Sequence, residues 1–209
     1  MTETRWWLVR HAPVPNPEAR CYGQRDVECD TSNTAAFDTL AKRLPRDAVW
    51  VATPLSRTQR TMHAIHQARG TTPDPLHLEP RLAEQHFGDW QGRTYVEMGA
   101  FGHGGTAASH RFWLAPAHET PPGGESFVAV MQRVHGAIEA LSQRHAGKDI
   151  VCVAHGGSIR AALALSLGLS PEAALAVNID TLSLTRLDLI DSTAAGHGWR
   201  VGLVNQPAV

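Results

Sequence analysis

The chain has 209 residues, 43% of them hydrophobic and 19% charged, with a net charge of −1 when histidine is neutral. This is the balance of one soluble globular domain with a substantial core, and it excludes a general nucleic-acid or membrane-binding surface. No apolar run nears the roughly 18 residues that cross a bilayer; Met1-Thr2-Glu3-Thr4 lacks the basic and apolar regions of a signal peptide; and three scattered cysteines (Cys21, Cys29, Cys152) form neither a disulfide framework nor a zinc ribbon, so a cytoplasmic chain is expected.

Arg5 to Val9 is an apolar run, read as a buried strand, and Arg10-His11 stands at its C-terminal mouth. Three prolines (Pro13, Pro15, Pro17) then forbid a helix and hold an extended loop. Cys21-Tyr22-Gly23-Gln24-Arg25-Asp26 continues it, with Gly23 able to bring backbone close to a ligand. A helix is predicted over residues 33–44, capped by Thr31 or Ser32 and stopped by Pro45, with Ala36, Phe37, Leu40, Ala41 and Leu44 on one face. Val49–Ala52 is a second strand. Pro54 suits a first helical turn, and residues 58–68 form a helix closed by Gly70. Residues 76–79 read as a short edge strand.

Periodicity fails from Arg81 to Gly92, and residues 91–124 are crowded with glycine and proline. A long irregular insertion in a compact domain is usually a functional lid. Its aromatics (Tyr95, Phe101, Phe112, Trp113) favour a packed lid over residues 86–124. Glu125-Ser126 opens a long amphipathic helix to His145. Strand Ile150–Ala154 then delivers His155-Gly156-Gly157, echoing the first strand. Residues 158–167 form a helix buried nearly all round, and Ser170-Pro171 starts another. Thr181–Leu187 alternates with period two, and Trp199–Val204 pairs with it as a hairpin. The fold class is α/β: a single domain with a mostly parallel, mixed sheet and helices on both faces.

In open parallel sheets, ligands bind beyond the carboxyl ends of the strands. One shared sheet therefore brings His11, His155, Arg10 and Arg57 to one mouth. That set suits phosphoryl transfer without a metal or an organic cofactor. Arg10 and Arg57 supply planar, permanently charged forks for phosphate. A neutral imidazole is a nucleophile; His11 is the candidate because it adjoins Arg10, although pattern alone does not separate it from His155. His155 and the backbone N–H of Gly156, where a helix begins, donate to the anion. Glu84 is the candidate proton donor; a carboxyl beside a phosphate dianion holds its proton more tightly, as that role requires.

The stretches Leu8–Ala12, Ala52–Thr58, Arg81–Gly92, Pro122–Ser126 and Ala154–Gly157 together resemble the histidine phosphatase superfamily, in the branch of cofactor-dependent phosphoglycerate mutase and its phosphatase relatives. The resemblance covers nearly the whole chain, in order and at the right spacings. It implies a phosphohistidine on His11, a phosphate pocket of Arg10, Arg57 and His155, and Glu84 as proton donor. It also implies a sheet flanked by helices with an insertion capping the site. Four positions depart from it. Ala12 replaces the usual glycine. Pro13, Val14 and Pro17 replace the mutases' Glu-Ser and Asn, with Asn16 one place early. Cys21–Val27 is similar instead to the α-ribazole phosphatases of cobalamin synthesis. The leading expectation is thus a phosphomonoesterase acting on α-ribazole 5′-phosphate. A phosphoglycerate mutase, a broad-specificity phosphatase and a silent phosphate-binding module are the alternatives. Asn16, Gly23, Gln24 and His86 are candidate substrate contacts. The partner is a small phosphate ester, with no nucleic acid or membrane, and a homodimer is the commonest assembly. His63 and His66, three apart on a helix, are read as surface or core rather than metal ligands. Cys152 is read as an inert core residue, Cys21 as exposed at the pocket mouth, and Trp90 as packing.

Overall fold

A computed structural model describes residues 2–72, 76–100, 113–191 and 198–208, and of residues 99 and 100 the backbone alone. Six strands form one mixed sheet: β1 (Thr2–Arg10), β2 (Val49–Ala52), β3 (His77–Leu78), β4 (Asp149–Ala154), β5 (Leu184–Asp191) and β6 (Trp199–Gln206). Their spatial order is β3-β2-β4-β1-β5-β6. The first four strands run parallel, and β5 and β6 close the sheet antiparallel.

Alternation along β1 explains the two-faced packing. Trp6 and Leu8 point to one side, where they join Phe127, Val130, Val134 and Ile138 of α4 (Phe127–Arg144) and Ile159 and Leu163 of α5 (Gly156–Leu167). Val9 points to the other, where it meets Phe37 and Leu40 of α1 (Thr34–Arg43) and Met62 and Ile65 of α2 (Ser56–Arg69). Trp6 is 1% exposed, and its indole N–H still finds the Ser142 hydroxyl at 2.9 Å. A buried indole without such a partner would be costly. The fold is the expected α/β sheet with helices on both faces.

The boundaries differ from expectation for local reasons. The α1 cap is Asn33, not Thr31 or Ser32; its side chain accepts from Ala36 N–H. Pro54 lies outside α2, which begins at Ser56 after the extended Leu55. Leu182 has φ +58°, so it turns the chain, and β5 starts at Leu184 rather than Thr181. Gly70 ends α2 in the left-handed conformation, as expected. The irregular stretch hides a short helix, α3 (Tyr95–Ala100). A last short helix, α6 (Pro171–Leu175), is capped by Ser170. Phe101, Phe112 and most of the hairpin turn at 192–198 lie outside the described residues. Among the described residues no helix is long and apolar enough to cross a membrane.

Candidate active site

The register of β1 and β4 builds the site. Arg10 pairs with Ala154, so the two following residues, His11 and His155, leave the sheet side by side. Their ring centroids are 5.3 Å apart. Both rings are buried, at 1% and 0% exposure. The Nδ1 of His11 lies 2.7 Å from the Ala12 carbonyl oxygen. A carbonyl only accepts, so Nδ1 carries the proton. In a neutral ring Nε2 is then bare. Burial, then the Arg57 and Arg10 charges, hold the His11 pKa down at about 3. The ring is therefore neutral at physiological pH, with Nε2 free to attack or to accept a proton. His155 is likewise driven well below the ordinary range, by burial first and the Arg57 charge next.

Three nitrogens here are buried and have no hydrogen-bond partner among the described residues: Arg10 Nε, Arg57 Nε and His155 Nδ1. Arg57 is fully buried. Its two terminal nitrogens donate to the carbonyls of Gly23 (2.6 Å) and Arg25 (2.9 Å), and Tyr22 covers its face with the guanidinium 5.1 Å from the ring centre. Arg10 donates to the Ile179 carbonyl. Two cations and an imidazole with unpartnered nitrogens at one strand mouth can bind an oxyanion.

Gly156 opens α5, with His155 as its cap. A Cβ on Gly156 would stand 3.7 Å from Arg10 Nε and 3.0 Å from a terminal nitrogen of Arg160, so the backbone is pressed against two guanidiniums. The next N–H of that helix, on Gly157, donates to Glu84 at 3.1 Å, and Gln85 N–H donates to the same oxygen at 2.9 Å. Glu84 lines a cavity of about 420 Å³ with Arg10, Tyr22, Phe87, Tyr95 and Trp113. Arg133 of α4 holds the strand of chain beneath it. Its five N–H groups donate to Arg81, Ala83 and Glu84 carbonyls and to both oxygens of Glu125.

The candidate substrate contacts divide. Gly23 lines the cavity with φ +46°, and a side chain there would strike Gln91. Gln24 sits behind it and donates to the Glu84 carbonyl at 2.7 Å. Asn16 stays out of the pocket because its amide closes a turn on the Arg20 backbone, at 2.8 and 2.9 Å. His86 serves its own turn: Nδ1 accepts from Gly88 N–H at 3.1 Å. Cys21 is not exposed; it borders the cavity at 3% exposure, and burial raises its thiol pKa to about 12. Cys152 is fully buried, with a pKa raised to about 12 by burial, as an inert core thiol should be. His66 turns inward onto Trp50 (4.2 Å between ring centroids) while His63 faces solvent, so the two do not converge. Among the described residues no three His, Cys, Asp or Glu side chains gather as a metal site.

Sequence reasoning missed Arg133 and Arg160. Arg160 is 8% exposed and lies 4.6 Å over the Trp113 ring, with its pKa lowered to about 10 by burial. Its spacing of four from Gly156, one helical turn, was the available signal. Nothing in the periodicity marks Arg133.

A family model of the histidine phosphatase superfamily, branch 1, matches residues 6–204. The chain belongs to the histidine phosphatase superfamily. A Mycolicibacterium vanbaalenii protein named glucosyl-3-phosphoglycerate phosphatase is 35% identical over 181 residues, covering 81% of this chain and 76% of that protein. Relatives from Mycobacterium bovis and Mycobacterium tuberculosis are 31% identical over 98% of this chain and longer, so the chain spans 54% of their length. Among solved structures, one described as mycobacterial hydrolase 2 superposes with a TM-score of 0.82 at 28% identity, covering 100% of this chain and 93% of that one. The α-ribazole phosphatase of Shigella flexneri superposes with a TM-score of 0.77 over 97% and 96%, at 24% identity. That likeness shows the fold alone. The enzyme is a phosphatase of this superfamily.

Proposed function

We propose that this phosphatase is a metal-independent phosphomonoesterase working through a phosphohistidine on His11. The observation that carries the reading is the ring of idle buried donors (Arg10 Nε, Arg57 Nε, His155 Nδ1) around a histidine whose Nε2 is bare. The ester's phosphate oxygens take those donors. His11 Nε2 attacks phosphorus, the ester P–O bond breaks, and the leaving oxygen takes the proton of Glu84 in its acid form. Water then attacks the phosphohistidine, gives its proton to the Glu84 carboxylate, and phosphate leaves. The walls formed by Tyr22, Phe87, Tyr95, Trp113 and Leu114 suit a leaving group with a ring face. Of the expected lid, Phe87, Tyr95, Trp113 and Leu114 border the cavity.

Two substrates have support. Glucosyl-3-phosphoglycerate is named in the relative at 35% identity. α-Ribazole 5′-phosphate rests on the Cys21–Val27 stretch. The test is phosphate release, with EDTA present, from each of these esters and from an aryl phosphate, beside a coupled phosphoglycerate mutase assay. Release from at least one ester, unaffected by EDTA and abolished in His11→Ala, is expected, and the fastest ester names the substrate. Loss of release with EDTA, or full activity in His11→Ala, overturns the mechanism. Mutase turnover exceeding hydrolysis replaces it with the mutase reading.

A further inference from the structure

We propose that Thr53, backed by Thr58, is a positioning residue that fixes the ring of His155 so that its Nδ1–H faces the phosphate, and that lets the ring carry a second proton without leaving a buried donor idle. This rests on the phosphatase reading of His155 above. All three side chains are fully buried. His155 Nε2 lies 2.9 Å from Thr53 Oγ1, and Thr53 Oγ1 lies 3.0 Å from Thr58 Oγ1. Thr58 Oγ1 in turn lies 2.9 Å from the Leu55 carbonyl and 3.1 Å from the Thr53 carbonyl.

Carbonyls only accept, so the Thr58 hydroxyl proton goes to Leu55 or Thr53, and Thr58 Oγ1 is left as an acceptor. The single proton of Thr53 then has two destinations. A neutral ring with its proton on Nε2 would turn a bare Nδ1 to the phosphate; the state that serves an anion has Thr53 donating to Nε2 and the ring's one proton on Nδ1, the nitrogen without a partner among the described residues. When His155 is an imidazolium, Nε2–H donates to Thr53, Thr53 donates to Thr58, and Thr58 donates to Leu55. The spare lone pair of Thr53 accepts the Leu55 N–H, at 3.4 Å, in both states. One hydroxyl rotation therefore satisfies either charge state, and in both states Nδ1 presents a proton to the phosphate. A ring tied through Nε2 to a carbonyl would keep its proton on Nε2 in both states, and Nδ1 would carry one only in the imidazolium.

The tests are ring nitrogen NMR of His155, without and with inorganic phosphate, and steady-state kinetics on an aryl phosphate. In the parent protein without phosphate, the Nδ1–H tautomer is expected. The Nε2–H tautomer there overturns the proposal, whatever the protein's activity. Thr53→Val should lower kcat on the order of 10²-fold, the scale of one lost donor to a transferring group, with mixed tautomers and little change in melting temperature. Thr53→Ser should restore both kcat and the tautomer. Should Thr53→Val fail to fold, the Ser variant and the parent spectra still decide. A Thr53→Val enzyme with parental kcat and an unmixed Nδ1–H ring overturns the proposal. Absence of hydrolysis in the parent would instead strike the phosphatase reading, leaving the spectra to judge Thr53.

Discussion

Arg133→Met removes the side chain that holds Glu84 in place without touching the pocket. Arg133 uses all five N–H groups, on the Arg81, Ala83 and Glu84 carbonyls and on Glu125, at 2.7 to 3.0 Å. Each hydrogen bond involving a charged group contributes about 1.5–3 kcal/mol. Bonds from one side chain do not add, and water reaches this partly exposed pair, so a net loss of about 3 kcal/mol is expected. In a domain of this size that lowers the melting temperature by about 6–12 °C. The rate carries the sharper signature. A carboxyl displaced by about 1 Å loses on the order of 10² in rate, but only where the leaving oxygen needs a proton. Hydrolysis of an alkyl phosphate should therefore fall about 10²-fold. A nitrophenyl phosphate, whose leaving anion is already stable, should fall no more than about 3-fold. Rates measured below the melting transition on both esters decide the matter. An equal fall on both would refute the idea that Arg133 acts through Glu84.

Three further outcomes are expected. Gly157→Ala places a Cβ against Glu84 Oε1 within a helix that welcomes alanine; activity should fall about 10-fold or more with an unchanged or higher melting temperature, and parental activity would show that Glu84 needs no fixed seat. Gly88→Ala puts a side chain at φ +53° into the Pro122 carbonyl; thermal unfolding should show a loss of about 2 kcal/mol or more. Because the His11 pKa is lowered to about 3, the unfolded chain binds its proton below about 6.5 while the folded chain does not. Stability should therefore fall as pH drops from 6.5 toward 3, by up to about 1.4 kcal/mol per pH unit for this group. Melting curves from pH 7 to pH 4 should show a shallower fall in His11→Gln than in the parent.

How far the sequence carried depends on what each residue does. Arg10, His11 and His155 were legible as neighbours because two apolar runs each end in a histidine, one after an arginine and one before glycines, and a parallel sheet brings such ends together. Arg57 and Glu84 stood out only through the constellation around them, which the family resemblance strengthened, since a helix arginine and a loop carboxylate are ordinary alone. Gly23 was legible through its missing side chain. Asn16 misled, because the same amide that would grip phosphate also closes a turn, and only the Arg20 backbone decides between them. His86 misled in the same way through Gly88. Arg133 was hidden because its partners are carbonyls, which every residue has. Helix α3 was hidden because six residues are too few to show a period.

The place of β1 bears on how the protein is made. It lies mid-sheet, with Trp6 paired to Ile150 on one side and Leu187 on the other. β1 thus precedes both of its neighbours in the chain, and neither of its edges is covered until Asp149–Ala154 has followed. Its Trp6-Trp7-Leu8-Val9 run stays exposed meanwhile, the kind of segment that chaperones shield. Such distant pairings are slow to close. No fragment that ends before β4 can hold both histidines, so phosphate affinity should arise only once His155 has joined His11.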